Sequence, residues 1–283
     1  MRLFHTQLEI RQYILDQRCK GHKIGLIPTM GALHEGHLSL VRMSVNASDL
    51  PVASVFVNPT QFNNPEDLEK YPRNLDKDLE LLESAGCQAV FAPSTKEMYP
   101  FTPSLTIGFG SLETELEGRF REGHFKGVGL VVSKLFNIVQ PDNAYFGQKD
   151  LQQYFIIERL VQQLSFPIKL KMAPIMREPH GLAMSSRNER LSEKDRAEAG
   201  LIYQSLQMAR EELLRSGHEI SEVKQKVAEL FKTSDRLSLE YFEVISTDDF
   251  KPLNEIKNKA TTALCIATEI GQVRLIDNLL LIS

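Results

Sequence analysis

The feature of this sequence that most constrains its fold is a short apolar run that leads directly into a glycine turn and two histidines. The run is Ile24–Ile27, and residues 28–37 read PTMGALHEGH. Four apolar residues closed by such a turn are typical of a buried parallel strand. His34 and His37 stand three residues apart, so on a first helical turn both rings face the same way. The segment therefore predicts a strand followed by a helix whose start can bind an anion.

Three interpretations of the histidine pair are open from the residues alone. Gly31 and Gly36 allow the backbone and a ligand to approach closely, which favours phosphate binding. The same H-x-x-H spacing also fits a metal-binding pair or two exposed surface histidines. Which acidic side chain would hold a divalent cation, if any does, stays open from the sequence, and Asp76 and Asp78 are candidates only.

Composition excludes several classes of protein. The chain has 283 residues, of which 42% are hydrophobic and 25% charged, as in an ordinary globular protein of two domains. A net charge of -4 argues against a nucleic-acid binder. The three cysteines form no C-x-x-C pair, which argues against a disulfide framework, and no apolar stretch is long enough to span a membrane. A cytoplasmic location is therefore expected, with neither nucleic acid nor membrane as partner.

The first two-thirds of the chain alternate between strand-like and helix-like segments. Strands are predicted at 24–27, 52–57, 88–91, 144–146 and 168–172, and helices at 37–47, 74–85, 128–139 and 150–163. This alternation predicts an α/β fold, a Rossmann-like open parallel sheet with helices on both faces. Ligands of such sheets bind beyond the carboxyl ends of the strands, where the polar motifs of this chain should converge.

The pattern changes after residue 176. Two helices, each capped by a serine, are predicted from Ser192 to about Ser216 and from Ser221 to Phe231. Strands are predicted at 239–245, 262–270 and 273–281, the last two joined by a tight turn at 271–272. The chain is therefore expected to divide into a Rossmann-like domain over residues 1–176 and a smaller α+β domain over residues 177–283.

Three polar segments that follow predicted strands carry further candidates. Asn58 and Gln61 can hydrogen-bond hydroxyls and carboxylates. Lys149 and Asp150 suit phosphate and ribose, and Arg187 beside two serines suits phosphate. Each segment also has an ordinary structural explanation. The segment of Asn58 and Gln61 can be a simple turn, and Asp150 can cap a helix beside a solvated Lys149. The segment around Arg187 can be a polar interdomain linker.

The basic segment at 119–128 adds another possibility. It can bind an anion or lie solvated, and its His124 could join His34 and His37 in a three-histidine zinc site. We rank zinc below phosphate, because the lysine and the arginine of the neighbouring motifs would repel a cation. The sequence contains no G-x-S-x-G elbow and no activated cysteine motif, so catalysis by positioning and electrostatic stabilisation is expected.

Seven motifs occur in order along nearly the whole chain: PTMGALHEGH, FVNPTQF, YPR, ELEG, HFKGV, YFGQKDLQQ and GLAMSSRN. Together they resemble the pantothenate synthetase (pantoate–β-alanine ligase) family of the H-x-G-H nucleotidyltransferases, relatives of class I aminoacyl-tRNA synthetases. The resemblance implies an AMP-forming carbon–nitrogen ligase of the coenzyme A pathway. Such an enzyme joins pantoate to β-alanine using ATP, with Mg²⁺ accompanying the nucleotide, through a pantoyl adenylate. It also implies a homodimer.

The resemblance assigns roles to individual residues of this chain. The catalytic residues would be His37, His34 and Lys149. Pantoate would contact Gln61 and Gln153, and β-alanine would contact Gln61 and Asn58. Residues 1–176 would bind ATP and pantoate, and residues 177–283 would form a lid. ATP would contact Met30, Gly31, Ala32, Leu33, His34, Glu35, Gly36, His37, Gly147, Gln148, Lys149, Asp150, Met176, Met184, Ser185, Ser186 and Arg187.

Two departures from the family pattern and two other functions bear on this prediction. Met176 stands where the family commonly has valine, and a backbone contact at this position should survive that change. His180 replaces the usual aspartate, and this replacement leaves the local geometry open.

The alternative functions are a nucleotidyltransferase that leaves the nucleotide on its product and a nucleotide-sensing module without turnover. AMP formation that depends on both pantoate and β-alanine separates the three.

Overall fold

The computed structural model describes residues 1–47, 49–215 and 219–282 and divides into two compact units. The first unit comprises Met1–Gln148 and Gln152–Pro174, and the second comprises Lys149–Leu151 and Ile175–Ser283. Three residues from the middle of the chain thus pack with the second unit. The assignment of ATP and pantoate binding to residues 1–176 and of a lid to residues 177–283 stays a prediction.

The first unit contains a sheet of parallel strands. They are β1 (Arg2–Phe4), β2 (Ile24–Thr29), β3 (Leu50–Val55), β4 (Ala89–Phe91), β5 (Asn143–Gly147) and β6 (Lys169–Ala173). Their order across the sheet is β1-β4-β3-β2-β5-β6, with every neighbouring pair parallel. The first four residues of β2 are fully buried, as expected for a central parallel strand. This confirms the predicted Rossmann-like open sheet.

Helices flank this sheet and bury their apolar residues against it. They are α1 (Gln7–Cys19), α2 (Glu35–Asn46), α3 (Pro65–Lys70), α4 (Leu75–Ser84), α5 (Thr95–Met98), α6 (Glu117–Phe120), α7 (His124–Val139) and α8 (Leu151–Gln163). One core cluster joins Leu38 and Val41 of α2 and Leu82 of α4 to Ile27 and Val90 of the strands. Burial of these side chains fixes α2 and α4 relative to the carboxyl ends of the strands.

The second unit is α+β. Its elements are α9 (Glu193–Glu198), α10 (Gly200–Leu214), α11 (Ile220–Phe231), β7 (Leu237–Ser246), β8 (Thr262–Ile270) and β9 (Val273–Leu280). The three strands form an antiparallel sheet in the order β7-β8-β9. Ile270 pairs with Val273 across the predicted turn at 271–272, and Gly271 has a φ of +60°. The predicted small α+β unit is therefore confirmed.

Several predicted element boundaries are wrong. The helix expected from Ser192 is divided into α9 and α10, and at the start of α10 a Cβ on Gly200 would lie 2.5 Å from the carbonyl oxygen of His180. Its expected end, Ser216, lies outside the described residues. Ser221 lies inside α11 rather than capping it. Helix α7 begins four residues earlier than expected, directly after Gly123, whose φ is +74°.

Strand β1 and helix α1 are present in the fold although the sequence pattern did not predict them. Strand β1 has only three residues and pairs with β4 at one edge of the sheet. Helix α1 opens with a capping box, in which Thr6 Oγ1 accepts from Glu9 N and Glu9 Oε2 accepts from Thr6 N. Among the described helices, none combines the length and the apolar character needed to cross a membrane.

Candidate active site

The loop between β2 and α2 is held in a fixed shape by two side chains that face it. Thr29 Oγ1 donates to the Ser54 carbonyl at 2.7 Å and accepts from Gly31 N at 3.2 Å. Gly31 has a φ of +81°, and a Cβ there would lie 2.7 Å from Asp78 Oδ2. Glycine is therefore required both by the backbone conformation and by the close approach of Asp78.

Asp78 of α4 closes the loop. Its Oδ2 accepts from Ala32 N at 3.1 Å, and its Oδ1 accepts from Leu33 N at 2.9 Å. Burial raises the pKa of the Asp78 carboxyl above its ordinary value, and the two backbone N–H groups oppose that rise. Both carboxylate oxygens are thus used by the loop, which argues against Asp78 as a Mg²⁺ ligand. Asp76, the other candidate, is exposed in the first turn of the same helix.

The two histidines cap the start of α2 with their Nδ1 atoms. His34 Nδ1 accepts from Gly36 N at 3.1 Å, and His37 Nδ1 accepts from His34 N at 3.3 Å. The ring centroids lie 4.1 Å apart. Because both Nδ1 atoms accept, each neutral ring carries its proton on Nε2. The site thus has two oriented N–H donors at a helix N-terminus, which suits an anion. Glu35 between them pairs with Arg42.

The turn after β3 is a buried amide network centred on Asn58. Asn58 is 1% exposed, and its Nδ2 donates to Gln61 Oε1 at 3.1 Å and to the Gly127 carbonyl at 3.2 Å. Its Oδ1 accepts from the Tyr99 hydroxyl at 2.8 Å. Because Asn58 donates to Gln61 Oε1, the amide nitrogen of Gln61 points the other way, to Met30 Sδ at 3.0 Å. Asn58 therefore fixes which end of Gln61 faces the β2–α2 loop.

The start of α7 supports the same turn. His124 is buried, and its Nδ1 lies 2.8 Å from the Gln61 carbonyl oxygen. A Cβ at Gly127 would lie 2.2 Å from the Thr60 carbonyl oxygen, so only glycine allows this packing. The basic segment that the sequence placed in a loop is therefore helical from His124 onward, and His124 serves the turn.

Within the part of the chain that the structure describes, His34, His37 and His124 do not form a metal site. Across residues 1–47, 49–215 and 219–282, no group of three or more His, Cys, Asp or Glu side chains could hold a metal ion. The proposed three-histidine combination of His34, His37 and His124 is therefore not assembled. Any divalent cation at this site would have to be held mainly by the phosphates of a bound nucleotide and by water.

A cavity of about 360 Å³ opens at the carboxyl ends of β3 and β4. Met30 lines it, together with the apolar residues Phe56 and Pro93 and the polar residues Arg73 and Thr95. This volume falls in the range of small-molecule sites. Met30, whose sulfur accepts from Gln61, thus borders a space large enough for a small organic acid, although Gln61 itself is not among its lining residues.

Helix α8 carries one structural glutamine and one candidate ligand side by side. Gln152 is buried, donates from Nε2 to the Leu112 and Glu115 carbonyls at 2.8 Å each, and accepts at Oε1 from Glu117 N at 3.1 Å. It therefore holds the loop that contains the ELEG motif. Gln153, predicted to bind pantoate, is the next residue in the first turn and is half-buried.

The second unit contains both groups of basic phosphate-binding candidates. Gly147 ends β5, and Gln148–Asp150 form a 3-10 turn in which Lys149 Nζ lies 3.5 Å from Asp150 Oδ1. Met184–Arg187 lead into a second 3-10 turn, capped by Ser185, whose Oγ accepts from Arg187 N at 3.2 Å. Lys149 and Arg187 therefore belong to the same compact unit, although 37 residues separate them in the chain.

The two departures from the family pattern fit this geometry. The Met176 carbonyl accepts from Met184 N at 2.9 Å, a backbone contact that does not depend on the side chain. His180 Nε2 lies 3.4 Å from Glu178 Oε2, and Glu178 Oε1 accepts from Asn188 Nδ2 at 2.8 Å.

Comparisons with known proteins agree on one family. A family model described as pantoate-beta-alanine ligase matches residues 2–280. Pantothenate synthetase from Thermoanaerobacter pseudethanolicus is 48% identical over 271 residues, which are 96% of this chain and 95% of that protein. Pantothenate synthetase from Bacteroides thetaiotaomicron is 45% identical over 279 residues, with 99% and 98% covered.

Solved structures give the same result. The crystal structure of pantothenate synthetase from Thermus thermophilus superposes with a TM-score of 0.91 at 38% identity and covers 99% of each chain. The pantoate-beta-alanine ligase from Francisella tularensis, solved with beta-gamma ATP and beta-alanine, gives a TM-score of 0.81 at 35% identity. That comparison covers 100% of this chain and 98% of the other.

Proposed function

This chain belongs to the pantoate–β-alanine ligase family and joins pantoate to β-alanine using ATP, and we propose that it does so through a pantoyl adenylate. The observation that carries the proposal is the pair of Nε2–H donors fixed by backbone contacts at the start of α2. The products of the two steps are pantothenate, AMP and pyrophosphate.

In the first step the pantoate carboxylate attacks the α-phosphorus of ATP. A carboxylate–phosphorus bond forms, the bond from the α-phosphorus to the bridging oxygen breaks, and pyrophosphate leaves with the electron pair. Negative charge therefore increases on the leaving phosphates. We assign the stabilisation of that charge to His34 and His37, which donate from fixed positions at the start of α2, and also to Lys149. Donors already aimed at the developing charge need no reorganisation during the reaction, and they commonly contribute more to the rate than any other effect.

In the second step the neutral amine of β-alanine attacks the activated carbonyl carbon. The carbon–nitrogen bond forms, the bond from that carbon to the phosphate oxygen breaks, and AMP leaves. The nitrogen then loses a proton to solvent. No protein nucleophile takes part, so the chain contributes alignment of the two reactants and exclusion of competing water.

The acid substrates are assigned to the amide network. Gln61 does not itself line the cavity, but its Nε2 donates to Met30, which does, and an amide donor of this kind suits the carboxylate or hydroxyls of pantoate. Gln153 is the second proposed pantoate contact. Asn58 was predicted to contact β-alanine directly, and that stays a prediction. Its engaged amide supports a role through the orientation of Gln61.

Mg²⁺ is proposed to enter with ATP. When bound, it would neutralise part of the phosphate charge, held by phosphate oxygens and water. The described side chains supply no dedicated cage for it, and Asp78 is used by the β2–α2 loop. A homodimer, a cytoplasmic location and the lid role of residues 177–283 also stay predictions.

Pantoate alone is expected to support exchange of labelled pyrophosphate into ATP, because formation and reversal of the adenylate do not require the amine. The measurement is incorporation of labelled pyrophosphate into ATP with β-alanine omitted and pantoate present or absent. An exchange that strictly needs β-alanine would argue against a freestanding adenylate. A nucleotide-sensing module would show no exchange at all, and a nucleotidyltransferase that keeps the nucleotide on its product would form no AMP.

A further inference from the structure

Strand β9 carries two adjacent buried polar residues, Asp277 and Asn278, that the reaction described above does not use. They are 4% and 3% exposed. Buried polar side chains lower stability unless they are hydrogen-bonded, so their partners indicate what they are retained for. In this unit the partners are the backbone of Lys149 and the side chain of Arg177, which contacts the turn before residues 184–187.

Asn278 contacts the first of these segments. Its Nδ2 donates to the carbonyl oxygen of Lys149 at 2.9 Å, across 129 residues of sequence. That carbonyl belongs to the 3-10 turn Gln148–Asp150. The contact therefore ties the backbone of the proposed catalytic lysine to a sheet strand.

Asp277 contacts the second segment through Arg177. The carboxylate accepts from both terminal nitrogens of Arg177, at 2.5 and 3.0 Å. The same guanidinium donates to the Gly181 carbonyl at 3.0 Å and stacks over the Tyr203 ring at 3.7 Å. Arg177 and Ala183 also pair through their backbones. Asp277 therefore fixes the turn that leads directly into Met184–Arg187.

The two contacts are joined to each other. Asn278 N donates to Asp277 Oδ1 at 2.8 Å, so one side chain orders the backbone that carries the other. Burial raises the pKa of the Asp277 carboxyl above its ordinary value, and the hydrogen bonds and positive charge of Arg177, with the charge of Lys149, oppose that rise. A single dipeptide of β9 thus contacts both Lys149 and the turn before Arg187.

We propose that Asp277 and Asn278 are positioning residues, which set the Lys149 turn and the 184–187 segment in one arrangement for the ATP phosphates. The inference rests on the proposed function, because it assumes that both segments bind ATP. Neither residue touches the substrate. Their effect comes from holding two phosphate-binding segments to one rigid strand, and a displacement of about 1 Å in such a segment can slow a reaction a hundredfold.

The test is Asn278→Ala, compared with Thr262→Val as a matched control. Thr262 is also buried in the second unit and also donates to a backbone carbonyl, that of Asn258 at 2.7 Å, but this carbonyl belongs to neither ATP-binding segment. We expect Asn278→Ala to lower kcat/KM for ATP by about 10- to 100-fold and to leave the KM for pantoate within about twofold. Thr262→Val is expected to change neither constant beyond about twofold.

Arg177→Lys gives a second test that does not depend on the folding of the first variant. It keeps a positive charge beside Asp277 but cannot bridge that carboxylate and the Gly181 carbonyl with one planar group. The same ATP-specific loss is expected. Thermal unfolding of all variants is measured in parallel, because a purely structural role would lower stability without separating ATP from pantoate.

Two results would overturn the inference while leaving the proposed function intact. One is equal kcat/KM for ATP in Asn278→Ala and Thr262→Val. The other is a rise in the KM for pantoate as large as the fall in kcat/KM for ATP in the Asn278 and Arg177 variants. If the unmodified chain showed no pantoate-dependent pyrophosphate exchange, the proposed function itself would fail, and the inference with it.

Discussion

Replacement of His37 by asparagine is expected to slow pantoate-dependent pyrophosphate exchange by about a hundredfold or more, as loss of one transition-state donor typically does. The asparagine oxygen can still accept from His34 N, which in the present chain is 3.3 Å from His37 Nδ1. It cannot supply a donor at the position of Nε2. The variant therefore preserves the cap of α2 while it removes the proposed contact with phosphate. The affinity for pantoate should change little.

His37→Gln is the complementary variant, and His22→Ala is the control. Glutamine reaches farther and can place its amide N–H near the position of Nε2, so it should retain more activity than asparagine. His22 is an exposed histidine before β2, and its loss should have no effect. Near-normal exchange in His37→Asn, or equal losses in the asparagine and glutamine variants, would contradict the assignment of Nε2 as the functional donor.

Replacement of Asp78 by asparagine is expected to reduce both stability and activity. Only one oxygen remains to accept from Ala32 N and Leu33 N, and the amide N–H₂ now faces the other donor. A buried donor without an acceptor lowers the free energy of unfolding by about 1–3 kcal/mol. The loop that carries Met30 and His34 should loosen, so exchange should fall by about tenfold or more. Urea unfolding and the exchange assay measure the two effects.

Asp76→Asn is the matched control for Asp78. Asp76 lies in the same helical turn but is exposed, and its replacement should change stability by less than about 0.5 kcal/mol. The structural role of Asp78 predicts that the Mg²⁺ concentration for half-maximal activity stays the same in Asp78→Asn. An unchanged stability with a sharply raised Mg²⁺ requirement would instead identify Asp78 as a metal ligand.

The fold could be predicted from sequence wherever a short apolar run ends at a glycine or proline. Ile24–Ile27 and the run that begins at Val52 both fall in central parallel strands, because burial on both faces leaves a continuous apolar signature. The three residues of β1 are too few to give such a signal. The close packing of the His180 carbonyl against Gly200 at the start of α10 is a contact that helical periodicity cannot reveal.

The candidate site could be predicted as a set of motifs but not as a set of contacts. Chemistry and family resemblance point to His34, His37 and Lys149, which are conspicuous residue types in short motifs. The residues that hold them are hidden, because Asp78 and Asn278 act on backbone groups 45 and 129 positions away. A carboxylate in an amphipathic helix looks the same in sequence whether it faces water or caps a distant loop.

Attack of the pantoate carboxylate itself on the α-phosphorus of ATP is the step on which the proposed mechanism depends. Pantoate labelled with ¹⁸O in both carboxylate oxygens tests it directly, when it reacts with ATP and β-alanine and the released AMP is analysed by mass spectrometry. Because the oxygen that joins carbon to phosphorus leaves with AMP, we expect one ¹⁸O atom in each AMP molecule. Unlabelled AMP, with the label in inorganic phosphate or pyrophosphate instead, would contradict this mechanism.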